Sequence, residues 1–164
     1  DALLAALAAC AHPCIFTLPN ADTAGKKIRA RIEAYVDTHG NARMVPNFGR
    51  VGYYSMLDHA LALVGNSSSG IIEAASFALP VVNIGDRQRG RLAGPNVIHA
   101  RPDQAAIGAA IATATSPQFR AQIKGAGNIY GDGHAARVIV ERLASVELGQ
   151  QLIMKTFHDI AFEA

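Results

Sequence analysis

Three serines in a row, Ser67-Ser68-Ser69, stand between Gly65-Asn66 and Gly70-Ile71-Ile72-Glu73. The apolar Leu63-Val64 leads in and an amphipathic stretch leads out, so the serines fall on a strand-to-helix turn. Glycines let other groups approach the backbone closely, and serine hydroxyls add donors to the free N–H groups of a helix's first turn. That combination suits an anion at the positive end of a helix dipole. Ordinary serine N-capping accounts for the same pattern. The stretch has neither the Gly-Lys-Ser/Thr of a Walker loop nor a GxGxxG fingerprint. Glu73, one turn on, either complements the dipole or offers two acceptor oxygens to the cis-diol of a ribose whose phosphates lie on the turn.

Other junctions carry usable groups. After Pro80-Val81-Val82-Asn83-Ile84 comes Gly85-Asp86-Arg87-Gln88-Arg89-Gly90-Arg91. Guanidinium forks bind phosphate bidentately, so at least one of these arginines is expected to meet a ligand rather than only solvent. In Leu18-Pro19-Asn20-Ala21-Asp22-Thr23-Ala24-Gly25-Lys26-Lys27, Asp22 or Thr23 reads as an N-cap. The Asn20 amide suits a base or a phosphate, and Lys26 a phosphate, with Lys27 an equal surface candidate. At Pro46-Asn47-Phe48-Gly49-Arg50, Phe48 and the nearby Tyr53 offer aromatic surface to a nucleobase, or plain core. The six histidines are scattered, and none sits in a recognisable triad. Cys10 and Cys14, with His12 between them, lack further ligands at metal-binding spacing and read as buried free thiols.

These junctions need strands and helices to hold them. Short apolar runs alternate with longer amphipathic ones, as in a parallel α/β sheet. Strands are predicted at Pro13–Leu18, Ala42–Pro46, Ala60–Val64, Pro80–Ile84 and Asn96–His99. Helices are predicted at Thr23–Thr38, Tyr53–His59, Ser68–Phe77, Gln104–Ala114, Gln118–Ala126 and His134–Leu148. In the last segment, Glu147–Ala164, Leu148, Leu152, Ile153, Phe157, Ile160 and Ala161 share one helical face. The expectation is one Rossmann-like, doubly wound domain, with ligands at the C-terminal edge of its strands. The opening Asp1–Cys10 stretch lacks the basic flank of a signal peptide and reads as a helix, and the absence of an initial methionine suggests an excised piece. A net charge of +2 argues against nucleic acid or an anionic membrane as partner, and sparse aromatics argue against base-stacking platforms. Half of the 164 residues are hydrophobic, yet no run suits a membrane span.

Gly65 to Glu73, Ser76-Phe77, and Pro80 to Arg91 together resemble the signature of the hydrolysing UDP-N-acetylglucosamine 2-epimerases. Pro19-Asn20-Ala21-Asp22 with Gly25-Lys26, and Tyr130-Gly131-Asp132-Gly133, are similar to further family segments in the same order. The resemblance implies the C-terminal half of a two-domain GT-B architecture, with the N-terminal domain and most catalytic groups outside this sequence. It implies that Ser67 and Ser68 hold the diphosphate, Glu73 the ribose, and Arg87, Lys26 and Asn20 the rest of the nucleotide, with Phe48 and Tyr53 near the uracil. It further implies elimination of UDP and hydration to N-acetylmannosamine or an analogue, with no metal or other cofactor. A cytoplasmic homodimer acting on a small-molecule UDP-sugar, in amino-sugar or sialic-acid metabolism, is the corresponding expectation. A GT-B glycosyltransferase domain and a stand-alone nucleotide-binding module are the alternatives.

Overall fold

A computed structural model describes residues 1–18 and 25–154. The chain falls into two compact units, residues 1–130 and 131–164. The first begins with α1 (Ala2–Ala8), the helix expected of the opening stretch, and continues with β1 (Cys14–Thr17), α2 (Gly25–Thr38), β2 (Ala42–Val45), α3 (Gly49–His59) and β3 (Leu63–Gly65). Then come α4 (Ser68–Ile72), a 3-10 turn over Ala74–Phe77, β4 (Val81–Ile84), β5 (Val97–Ala100), α5 (Gln104–Ala114) and α6 (Pro117–Ile123). All five predicted strands are present and all ladders are parallel.

The ladders do not form one sheet among the described residues. β1 pairs with β2 from Cys14↔Ala42 to Thr17↔Val45, and β3, β4 and β5 form a separate sheet in that order. One core nevertheless crosses both. It gathers Ala6 and Leu7 of α1, Tyr35 of α2, Ala42 of β2, Val82 of β4, Ala100 of β5, and Ile107, Ala110, Ile111 and Ala114 of α5. The other face of β4 turns Val81 towards a second cluster with Leu57 of α3, Ala74 and Leu79. Neighbouring strand residues point to opposite faces, so β4 is covered on both sides, the layering of a doubly wound fold.

Local sequence explains the helix starts. Asp103 caps α5, its carboxylate accepting from the Ala106 N–H at 2.8 Å. Ser116 caps α6 ahead of Pro117, where a missing N–H costs nothing. The predicted single helix over Ser68–Phe77 divides into α4 and the 3-10 turn, which ends with Ala78 in the left-handed region at φ 47°. Cys10 and Cys14 are free thiols, half-buried rather than buried as expected. Burial, and secondarily the neighbouring Cys10, push the Cys14 thiol up in pKa.

The second unit contains α7 (Ala135–Ser145) and α8 (Gln150–Ile153). A turn precedes α7, the His134 N–H donating to Asp132 Oδ1 at 3.0 Å. Of the terminal apolar stripe, Leu148, Leu152 and Ile153 are described, whereas Phe157, Ile160 and Ala161 lie outside the described residues. Among the described residues no helix is long and apolar enough to cross a membrane.

Candidate nucleotide site

The serine turn leaves β3 at Gly65 and enters α4 with Ser67 as N-cap, its backbone extended at φ −72° and ψ 143°. Ser67 Oγ accepts from the Ser69 N–H at 3.3 Å. Gly70 lets α4 sit tightly on the sheet, because a Cβ there would lie 2.8 Å from Val81 Cγ1. Behind the turn runs a chain of side-chain hydrogen bonds. Ser69 Oγ donates to Glu73 Oε2 at 2.5 Å, and Tyr53 Oη lies 2.6 Å from the same Ser69 oxygen. With the serine proton directed to the carboxylate, the Tyr53 hydroxyl donates to Ser69, so polarity runs from Tyr53 through Ser69 to Glu73. Glu73 Oε1 takes no part in this chain.

The arginine loop is tied to the serine turn by a residue between the arginines. Gln88 is 5% exposed, and its Nε2 donates to the Asn66 carbonyl at 2.8 Å. Arg87, Arg89 and Arg91 are all exposed. Gly85 opens the loop with φ 72°, a left-handed conformation that favours glycine. Beneath the loop, buried Asn83 of β4 meets His99 of β5, with Nδ2 3.1 Å from Nδ1. On the far side of α4, Asn128 Nδ2 donates to the Ile72 carbonyl and to Ser76 Oγ, each at 2.8 Å, and Tyr130 Oη donates to the Leu92 carbonyl at 2.8 Å. Residues 128–130 thereby buttress both the serine helix and the end of the arginine loop.

Among the candidates from sequence, Tyr53, Ser67, Ser68 and Glu73 come together at this turn, and Gln88 joins the loop carrying Arg87 to it. The Tyr53 hydroxyl is engaged with Ser69. Phe48 is half-buried at the N-cap of α3, the helix that also carries Tyr53. Lys26 is exposed in the first turn of α2, with no hydrogen bond to the serine turn among the described residues. Asn20, Asp22 and Thr23 lie outside the described residues. The dipole argument weakens, since α4 has only five residues, so hydroxyls and guanidinium groups carry more of any anion recognition. Sequence reasoning missed Ser69, Gln88 and Asn128. The four-residue spacing from Ser69 to Glu73, and the position of Gln88 between alternating arginines, were the available signals.

A family profile described as UDP-N-acetylglucosamine 2-epimerase matches residues 1–144. The chain belongs to this family. It is 38% identical over 137 residues to a UDP-N,N'-diacetylbacillosamine 2-epimerase (hydrolyzing) of Legionella pneumophila, covering 84% of this chain and 35% of the relative. It is 44% identical over 85 residues to a GDP/UDP-N,N'-diacetylbacillosamine 2-epimerase (hydrolyzing) of Campylobacter jejuni, covering 51% of this chain and 22% of that one. The fold matches a crystal structure of a UDP-N-acetylglucosamine 2-epimerase with a TM-score of 0.55 at 19% identity, covering 86% of this chain and 42% of the other. The α/β fold of this family is thus present in a chain that spans about a third of the length of the first relative. The serine turn, Glu73 and the arginine loop all lie inside the residues that match the family profile.

Proposed function

We propose that this chain is the UDP-binding part of a hydrolysing 2-epimerase acting on a UDP-linked N-acetylated amino sugar. UDP-N-acetylglucosamine and the diacetylated sugars named for its relatives form the substrate class. The observation that carries this reading is the Tyr53–Ser69–Glu73 chain behind a serine turn that Gln88 fastens to an arginine loop. The Ser67 and Ser68 hydroxyls and Arg87 suit the diphosphate, with Lys26 and Asn20 completing the nucleotide contacts. Glu73, held by one oxygen, presents the other to the ribose hydroxyls, while Phe48 and Tyr53 supply aromatic surface for the uracil.

In the proposed reaction a base removes the proton from sugar C2 as the C1–O bond to UDP breaks, giving a glycal. Water then adds its hydroxyl at C1 and a proton returns to C2 on the opposite face, yielding N-acetylmannosamine or its analogue and UDP. The acid and base groups for these steps are proposed to come from an N-terminal domain, in a cytoplasmic homodimer, with no metal or other cofactor. The 164-residue chain alone is therefore expected to bind UDP without turnover. Calorimetric titration with UDP tests this, alongside Glu73→Ala and the Ser67→Ala/Ser68→Ala pair. Saturable binding weakened by about 1–3 kcal/mol in each variant is expected from lost hydrogen bonds to charged groups. No UDP binding by the longer natural polypeptide would overturn the reading, and sugar release by this chain alone would overturn the division of labour.

A further inference from the structure

The arginine loop closes mainly on itself. Within Asp86–Leu92 the Arg89 N–H donates to the Asp86 carbonyl at 2.9 Å and the Arg91 N–H to the Gln88 carbonyl at 3.2 Å, while Gly90 takes φ 85°. Among the described residues, two hydrogen bonds fasten this stretch to other segments: Gln88 Nε2 to the Asn66 carbonyl, and Tyr130 Oη to the Leu92 carbonyl. Arg87, Arg89 and Arg91 form no ion pair among the described residues, so the backbone beneath them sets where they stand. Gln88 anchors the middle of the loop, and Tyr130 anchors its end, beside Arg91. Tyr130 is in turn set by Asn128, whose Oδ1 accepts from the Tyr130 N–H at 2.9 Å in an Asx turn. Both amide protons of Asn128 are used as well, one on the Ile72 carbonyl that ends α4 and one on Ser76 Oγ in the 3-10 turn. Glu73 lies between those two attachments, where the helix changes type.

We propose that Asn128 and Tyr130 are positioning residues, a strap that fixes the arginine loop and Glu73 relative to one another and so couples diphosphate recognition to ribose recognition. The proposal rests on the nucleotide reading above and adds two residues to it that do not themselves touch the ligand. The hydrogen bonds close a ring: from Asn66 along the serine helix to Ile72, across Asn128 and Tyr130 to Leu92, then back along the arginine loop to Gln88 and Asn66. In a closed ring, a ligand that immobilises one side restrains the other, and the coupling is reciprocal. The attachments lie 56 and 38 residues away in sequence, so no local turn requires them. Water would satisfy a lone last-turn carbonyl such as that of Ile72 equally well. What water cannot do is hold both sides of Glu73 and pass the restraint on to Leu92.

The test is calorimetry with UDP and with UMP on the longer natural polypeptide, its Tyr130→Phe and Asn128→Ala variants, and the double variant. Tyr130→Phe deletes one oxygen and keeps the ring and the Asx turn, so the fold is retained. It should weaken UDP by about threefold or more, the cost of ordering a loosened loop, and UMP, which lacks the second phosphate, by less. Asn128→Ala frees both ends of the strap and should weaken both ligands. The double variant should bind UDP about as well as Asn128→Ala alone, because an unmoored Tyr130 has little left to hold. A purely structural role would lower melting temperatures and leave both affinities unchanged, which would overturn the proposal, as would additive losses in the double variant. A second readout needs no ligand. Backbone NMR relaxation should show greater mobility at Gly90, Arg91 and Leu92 in Asn128→Ala, and an unchanged loop would also overturn the proposal. Failure of the parent to bind UDP would sink the nucleotide reading, and with it the proposed coupling, whatever the relaxation data show of the strap.

Discussion

Replacing Ser69 with alanine removes the middle member of the Tyr53–Ser69–Glu73 chain, and the structure fixes what should be lost. The bond to Glu73, at 2.5 Å, joins a hydroxyl to a carboxylate; such bonds contribute about 1.5–3 kcal/mol. The bond from Tyr53, at 2.6 Å, is neutral and contributes about 0.5–1.5 kcal/mol. All three side chains are half-buried, so water replaces part of this, and a destabilisation of about 2–3 kcal/mol is expected from the pair. At about 2–4 °C per kcal/mol for a chain of this size, the melting temperature should fall by about 4–12 °C. Tyr53→Phe removes only the neutral bond and should cost about 1 kcal/mol. Once Ser69 is gone, however, Tyr53→Phe has nothing further to remove. The double variant should therefore be no less stable than Ser69→Ala alone, a coupling of about 1 kcal/mol in a double-mutant cycle read by urea unfolding. Additivity within about 0.3 kcal/mol would refute the chain as a connected unit.

Other consequences follow from single contacts. Gly70→Ala should destabilise by about 1–3 kcal/mol, because its Cβ would meet the stiff, buried Val81; a melting temperature unchanged from the parent would show that α4 can shift freely. Gln88→Leu keeps the volume but strips the Asn66 carbonyl of its donor, and should cost about 1–3 kcal/mol in urea unfolding while Arg87→Leu, at an exposed site, costs little. Cys14 holds its proton more tightly folded than unfolded, so above the ordinary thiol pKa the unfolded chain binds fewer protons and stability falls as pH rises. Cys14→Ala should flatten the slope of unfolding free energy above the ordinary thiol pKa of about 8.5, and an unchanged slope would count against burial as its cause.

Much of the fold was legible because its signals are local. The Asp103 cap, the helical run to Ala114 and the turn at Thr115-Ser116-Pro117 place α5 within the sequence-predicted bounds. The start of α3 was set four residues late, because the turn before it is made by a side chain. Asn47 Oδ1 accepts from the Gly49 N–H at 2.6 Å, and Gly49 takes φ 63° to enter the helix. The break after Ile72 was missed for a related reason. Glu73 bends back to Ser69, and the glycine and serines before it give little resistance to a change of helix type. The division into two half-sheets was invisible, since strand pairing is a long-range property that composition does not encode. At the site, Ser67, Tyr53 and Glu73 announced themselves by type and position. Ser69 looked like the third of three equivalent serines until the helix phase turned it towards Glu73.

That phase bears on the proposed ribose contact. A lone glutamate on a half-exposed turn samples several rotamers, and fixing such a side chain on binding costs about 0.5–1.5 kcal/mol. Here Ser69 holds Oε2 and Tyr53 holds Ser69, which narrows the rotamers open to the carboxylate before any ligand arrives. Under the proposed ribose contact this hydrogen-bond chain orients the carboxylate, which makes a prediction that stability alone does not. Ser69→Ala should weaken UDP binding by roughly twofold to thirteenfold, about 0.5–1.5 kcal/mol, although Ser69 itself is not proposed to touch the nucleotide. Ser69→Thr, which keeps the hydroxyl, should restore most of the affinity. Calorimetry below the melting temperature of the variant separates this loss from unfolding. An unchanged dissociation constant in a folded Ser69→Ala protein would mean that Glu73 needs no help in finding its position, and that the Tyr53–Ser69 pair serves only to bind α3 to α4.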